Sequence, residues 1–330
     1  MTNEPERPPE HNQIGLDYRR PMPRPPVRGR IIDAHLHVIA HRHCETLFES
    51  ADHFGFDHFV TQTPLEEALV MQRDFGDRFT FVAIPSWQTL AEPDKYDRWA
   101  RRIEAFHNLG SRMAKFHMAP GTMSRARYRL DDPGLRRIME MVRDRGMIIM
   151  SHIGDPDIWY SGKYADPSVW GNRDEHYRLF EQALEDFRGT PWWCAHLGGN
   201  PENLTRIQGL LDRFPDLLLD LSATRWMVRE ISKRRDEARA FVLKNQDRLI
   251  WGSDQVTGDT RDYDFLSSRY WCHRKLFETA HQGQTPILDP DLPTDAQPTL
   301  RGLALPDTVL QKLYRDNCIA MFRKVGVEIA

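Results

Sequence analysis

Eight short apolar, β-branched runs recur along the 330 residues, with helical spacing between them, and this alternation constrains the fold more than any other feature. Strand and helix in such order build parallel strands with helical crossovers. The runs fall at 30–37, 57–62, 79–84, 112–117, 147–152, 192–197, 217–221 and 248–253. Eight parallel strands close a (β/α)8 barrel, which commonly takes about 250 residues. The expectation is an α/β TIM barrel over residues 28–330, a single domain with insertions after strands five and eight.

Helical stretches fill the gaps. Pro64 opens one at a first-turn position. Residues 133–145 form another, with Gly146 as its stop. A third runs from Pro201 to Phe214, residues 226–245 form a long charged one, and 306–325 form one or two more. Residues 1–27 are rich in Pro, Arg, Glu and Asn and have too little apolar surface to offset their ordering entropy. They are expected to be a flexible arm or an extended strap.

The two insertions, 153–173 and 255–305, leave the carboxyl ends of strands, where barrel enzymes build their sites. The first carries Trp159, Tyr160, Tyr164 and Trp170; the second is Pro- and Asp-rich. Arg269-Tyr270-Trp271 in the second is expected to form a lid or a subunit contact.

Composition excludes several classes. A net charge of −3 offers no basic field for nucleic acid and no polybasic membrane anchor. No apolar stretch approaches the roughly 20 residues that span a bilayer. The N-terminus lacks a signal-peptide core, so a cytoplasmic location is expected. Cys44, Cys194, Cys272 and Cys318 form no C-x-x-C pair, which argues for reduced thiols rather than a zinc ribbon or redox motif.

The chemistry concentrates at strand ends. His35 and His37 close strand one in Asp33-Ala-His-Leu-His. Residues two apart on a strand share a face, so both imidazoles point into the barrel mouth. With 14 histidines, chance alone gives about 0.6 such pairs. A second pair, His41 and His43, lies past the strand in a charged context and is expected to be solvated. What distinguishes the first pair is its company. His152 closes strand five, His196 strand six, and Asp254 follows strand eight, which barrel closure brings beside strand one. Neutral imidazoles with one carboxylate suit zinc or a similar divalent ion.

These motifs resemble the amidohydrolase superfamily, in particular its amidohydrolase 2 group, which includes aminocarboxymuconate semialdehyde decarboxylase. The likeness spans about residues 30–325: Asp-x-His-x-His, the strand-five His, Ala195-His-Leu-Gly-Gly, Gly252-Ser-Asp and the closing Tyr314-Arg-Asp-Asn-Cys segment. The resemblance implies that His35, His37, His152 and Asp254 bind one divalent ion, Zn2+ first and Mn2+ as the alternative. It makes His196 an acid/base or polarising group and lets Asp254 take a proton from water. Lys115 on strand four has two further readings. Carboxylated, it would bridge two ions; as an ammonium, it would hold a substrate carboxylate or an internal acid. Arg225 suits an anion, Trp159 a pocket wall, and Asp33 a supporting carboxylate. The family also implies a homodimer.

Three functions follow as expectations. The first is a hydrolase using metal-activated water on a small carboxylate-bearing ester, lactone or amide. The second is a metal-dependent non-oxidative decarboxylase of an aromatic or muconate-type acid. The third is a non-catalytic ligand-binding barrel.

Overall fold

The computed structural model describes residues 10–126 and 128–329. Each expected run contains a strand: β1 Ile32–His37, β2 His58–Gln62, β3 Phe79–Val82, β4 Met113–His117, β5 Ile148–His152, β6 Trp192–Cys194, β7 Leu217–Asp220 and β8 Leu249–Ile250. A ninth short strand, β9 Gln255–Val256, pairs in parallel with β1. Two sheets, ordered β3-β2-β1-β9 and β4-β5-β6-β7-β8, form the wall. They join at one seam through Ala83 N–H to Met113 O at 2.8 Å and Lys115 N–H to Ala83 O at 2.9 Å. They join at the other through Ala34 N–H to Trp251 O at 3.3 Å and Asp254 N–H to His35 O at 2.6 Å. The second seam needs glycine at position 252. A Cβ there would lie 2.6 Å from His35 Cβ and 2.7 Å from its backbone nitrogen.

The chain is therefore an α/β TIM barrel. Its interior is packed by Ile32, Val60, Val82, Met113, Ile148, Leu218 and Ile250, with Ile319 and Phe322 of the last helix joining the same cluster. A larger apolar layer lies between strands and surrounding helices. Polar side chains start several helices: Asp132 accepts from Gly134 N–H, Asn203 from Arg206 N–H and Asp262 from Phe265 N–H. Such caps satisfy backbone donors that the helix leaves free.

Three expectations are revised. The long charged helix is two, Thr224–Lys233 and Arg235–Lys244, broken at Arg234 with φ −126°. The segment after strand eight contains a helix, Tyr263–Glu278, and a small hairpin, Gln282–Gln284 with Thr299–Arg301. Tyr270 is wholly buried, stacked on Phe56 at 4.6 Å between ring centres, so that helix covers the barrel and Tyr270 is not part of a lid. The described part of the N-terminal segment, residues 10–27, is fastened to this cover. Leu288 N–H donates to Glu10 O, Gln13 N–H to Pro286 O, and Tyr18 is buried. All four cysteines are buried and unpaired. Among the described residues no helix is long and apolar enough to cross a membrane.

Candidate metal centre and active-site cavity

The register of β1 against β2 shifts between Asp33 and Leu36, just where the site begins. Asp33 is committed to structure. Its carboxylate accepts from Ser253 N–H and Oγ–H at 2.9 and 2.6 Å and from the Tyr270 hydroxyl at 3.0 Å. It thus ties the end of strand eight to strand one and to the covering helix. Burial pushes its pKa up to about 6, against those bonds.

His35 is 1% exposed, with Nδ1 2.8 Å from Asp220 Oδ2. Asp220 also accepts from the Trp193 indole at 2.7 Å, from His196 N–H at 2.8 Å and from the Ser222 hydroxyl. Burial opposes its charge, but His35, His196 and Lys115 together hold it well below the usual carboxylate range. An ionised Asp220 takes the proton-bearing nitrogen of His35, which leaves Nε2 with its lone pair. The Ser222 hydroxyl has one proton, given to Asp220. His196 Nδ1, 2.8 Å from Ser222 Oγ, must therefore donate to it. Nε2 of His196 is then also an acceptor. Burial drives both imidazoles towards the neutral form.

These acceptors face a carboxylate. Asp254 Oδ1 lies 3.3 Å from His35 Nε2 and 3.2 Å from His37 Nε2, and Oδ2 lies 3.9 Å from His196 Nε2. Ligand atoms of His35, His37 and Asp254 all fall within 4.8 Å of one another. Buried lone pairs on His35 and His196 beside the partly buried carboxylate of Asp254 favour positive charge between them. That donor set fits a divalent cation, with His35, His37 and Asp254 to hold it.

Backbone strain marks the same end of the barrel. His196, Leu197, Ala223 and Asp254 adopt φ of 56°, 52°, 70° and 54°. The left-handed region costs a residue with a Cβ about 1–2 kcal/mol, and such strain gathers at functional sites. His196 stands in a left-handed turn just past β6, rather than in the strand expected to reach residue 197.

His152 ends β5 beside this cluster, its ring edge-on to His196 with centres 4.5 Å apart. Its Nε2, however, lies 3.2 Å from Asp155 Oδ1 and 3.0 Å from Gly154 O. Asp155 is held in turn by the Tyr164 hydroxyl at 2.8 Å. Lys115 is 1% exposed, with Nζ 3.5 Å from His35 Nε2. Burial pulls its pKa down to about 8. His117, beside it, is buried against Trp87. His43 turns to Asp259 and His41 to Asp74, away from the cluster.

A cavity of about 280 Å³ opens above these groups, lined among others by His152, Trp159, His196, Arg225 and Asp254. The structure thus places His35, His37, His152, His196 and Asp254 at one end of the barrel, with Trp159 and Arg225 on the cavity wall and Lys115 buried beside His35. Sequence reasoning gave no role to Asp155, Asp220 or Ser222. Asp220 and Ser222 carried one signal: they sit two apart at the end of strand seven and so share a face.

A family model for the amidohydrolases matches residues 68–324, and the chain belongs to that family. The match begins after β1, so it does not itself cover His35 and His37. No curated protein matches the chain. Among solved structures, an uncharacterised TIM-barrel protein from Bordetella bronchiseptica superposes with a TM-score of 0.57 and 16% identity, over 91% of this chain and 100% of that one. A candidate 2-pyrone-4,6-dicarboxylic acid hydrolase from Pseudomonas putida gives 0.55 and 13%, over 91% and 99%. A protein from Agrobacterium tumefaciens gives 0.52 and 12%, over 90% and 97%. At such identities these likenesses establish the fold. Family and cluster together define a metal-dependent amidohydrolase-superfamily enzyme.

Proposed function

We propose that the protein is a hydrolase acting on a small carboxylate-bearing ester, lactone or amide, with Zn2+ held by His35, His37 and Asp254. The convergence of these three ligands beside a fourth acceptor, His196, carries the reading. When bound, the ion supplies Lewis acidity and a water acidic enough to ionise near neutral pH. The chain's own residues do the rest. Asp254 Oδ2 would take the proton given up by the attacking water, and His196 Nε2, 3.9 Å away and so beyond a direct hydrogen bond, would receive it through one bridging water. His196 delivers it to the leaving group, its ring held by Ser222. Trp159 and Arg225 wall the cavity.

The test is a panel of activated carboxylate esters and lactones assayed with zinc, with manganese and with a chelator. Metal-dependent turnover is the expected outcome, and His196→Ala should abolish it while retaining the metal. Release of carbon dioxide from aromatic or muconate-type acids, without ester cleavage, would replace this reading with the decarboxylase. Turnover of neither panel would leave a ligand-binding barrel.

A further inference from the structure

Four arginines line one cavity, Arg225, Arg229, Arg261 and Arg269, and of these Arg229 is committed to Glu230, Asp289 and Asp291. Arg269, on the covering helix, is 6% exposed. Its Nη1 is spent on Phe265 O at 3.0 Å and Ser268 Oγ at 2.8 Å. Among the described residues, Nε and Nη2 meet no acceptor, and no carboxylate lies within ion-pair distance. Arg225 is exposed and has no acid of its own among the described residues. Arg261 reaches Glu10 only at 3.8 Å. Two other acids of the cavity, Asp289 and Asp291, are already taken by Arg229 at 2.6 and 3.2 Å. Burial, and then the charge of Arg225, pull the pKa of Arg269 down to about 9, so it remains a cation at neutral pH.

Like charges gathered in a half-closed cavity repel one another, and a buried guanidinium without a counter-charge is costly. Both Arg261 and Arg269 also rest on the Phe265 ring, at 3.9 and 3.4 Å from its centre. That contact holds the two guanidinium groups against the ring without neutralising them. The open edge of Arg269, Nε with Nη2, is the two-donor edge that matches a planar carboxylate.

We propose that this wall is a carboxylate subsite, in which Arg269 grips an acid group on the substrate remote from the bond that breaks, with Arg225 at the rim. The proposal deepens the hydrolase reading, since it takes the cavity to be where substrate binds, but the grip itself needs no metal.

Calorimetric titration of the chelator-treated full-length protein tests it. The probes are monomethyl glutarate, with one carboxylate and one ester, and dimethyl glutarate, with no charge. Wild type should bind the monoanion with Kd in the millimolar range or tighter, about tenfold better than the diester. Arg269→Met should lose about tenfold for the monoanion, Arg269→Lys should recover part of it, and Arg225→Met should lose about threefold. Arg225 is exposed, so its variant remains decisive if Arg269→Met fails to fold. Equal binding of both esters, no binding of the monoanion to wild type, or unchanged affinity in the variants would each overturn the subsite. Tighter binding of inorganic phosphate than of the monoanion would overturn its assignment to carboxylates. Because binding is read without metal, a failed hydrolysis panel leaves this result standing, and a failed titration leaves the hydrolytic test standing.

Discussion

Asp220 decides which nitrogen of His35 faces the metal-ligating cluster, because its ionised oxygen claims the Nδ1 proton. Asp220→Asn should lower zinc affinity by about 10–100-fold, the usual cost of losing an orienting partner behind a ligand, with the fold retained; competition against a chromogenic chelator measures it. His35→Ala and Asp254→Ala should abolish zinc binding altogether. Unchanged metal content by elemental analysis in either variant would sink the ligand assignment. At this scale much of the site was legible. His35, His37, His196 and Asp254 all stand at or just past strand ends, where position in the chain determines position in space. What Nε2 of His152 bonds was not legible, because Asp155 becomes its neighbour through a turn whose geometry no motif announces. The burial of Arg269 in the cavity wall was not legible either, because only packing buries a guanidinium.

Between elements, the seam from strand eight to strand one is closely packed. Gly252→Ala would drive a methyl into the backbone of His35. Overpacking of this kind costs about 1–3 kcal/mol, and here it would also displace a ligand. The expected outcome is a lower melting temperature together with weaker zinc binding; a loss of stability with intact zinc affinity would show that the seam does not position His35. The helix Tyr263–Glu278 shows where periodicity fails as a guide. Of its 16 residues 12 are buried, so there is no polar face to set against an apolar one. The eight strands were easier to find because barrel strands are apolar along their length and are separated by helices of regular spacing.

For the molecule as a whole, acid is the revealing stress. His58, at the start of β2, is 4% exposed and far in the chain from the ligands. Thr80 Oγ1 and Asp77 O satisfy its neutral ring at 2.9 and 3.2 Å. Burial lowers its pKa from 6.5 to about 4. The unfolded chain therefore binds the extra proton first. The stability that His58 contributes is complete above pH 6.5 and is lost as pH falls through about 4. The slope is at most about 1.4 kcal/mol per pH unit. His58→Gln, which keeps a donor and an acceptor, should flatten the fall in melting temperature between pH 7 and 4.5; a parallel curve would show that His58 does not titrate with unfolding.

By itself the sequence determined the architecture and the chemical type of the site. The order of apolar runs fixes strand sequence, and parallel strands in a closed barrel must deliver their carboxyl ends to one mouth. Residues at those ends meet there whatever the loops do. The tertiary structure alone decided the finer electrostatics: the tautomers of His35 and His196, the partner of His152 and the uncompensated charge of Arg269. The tautomers depend on contacts between residues far apart in the chain, as Asp220 with His35 shows, whereas the partner of His152 is set by a local turn. Burial then sets the strength of those contacts, and burial belongs to the packed molecule rather than to any segment of it.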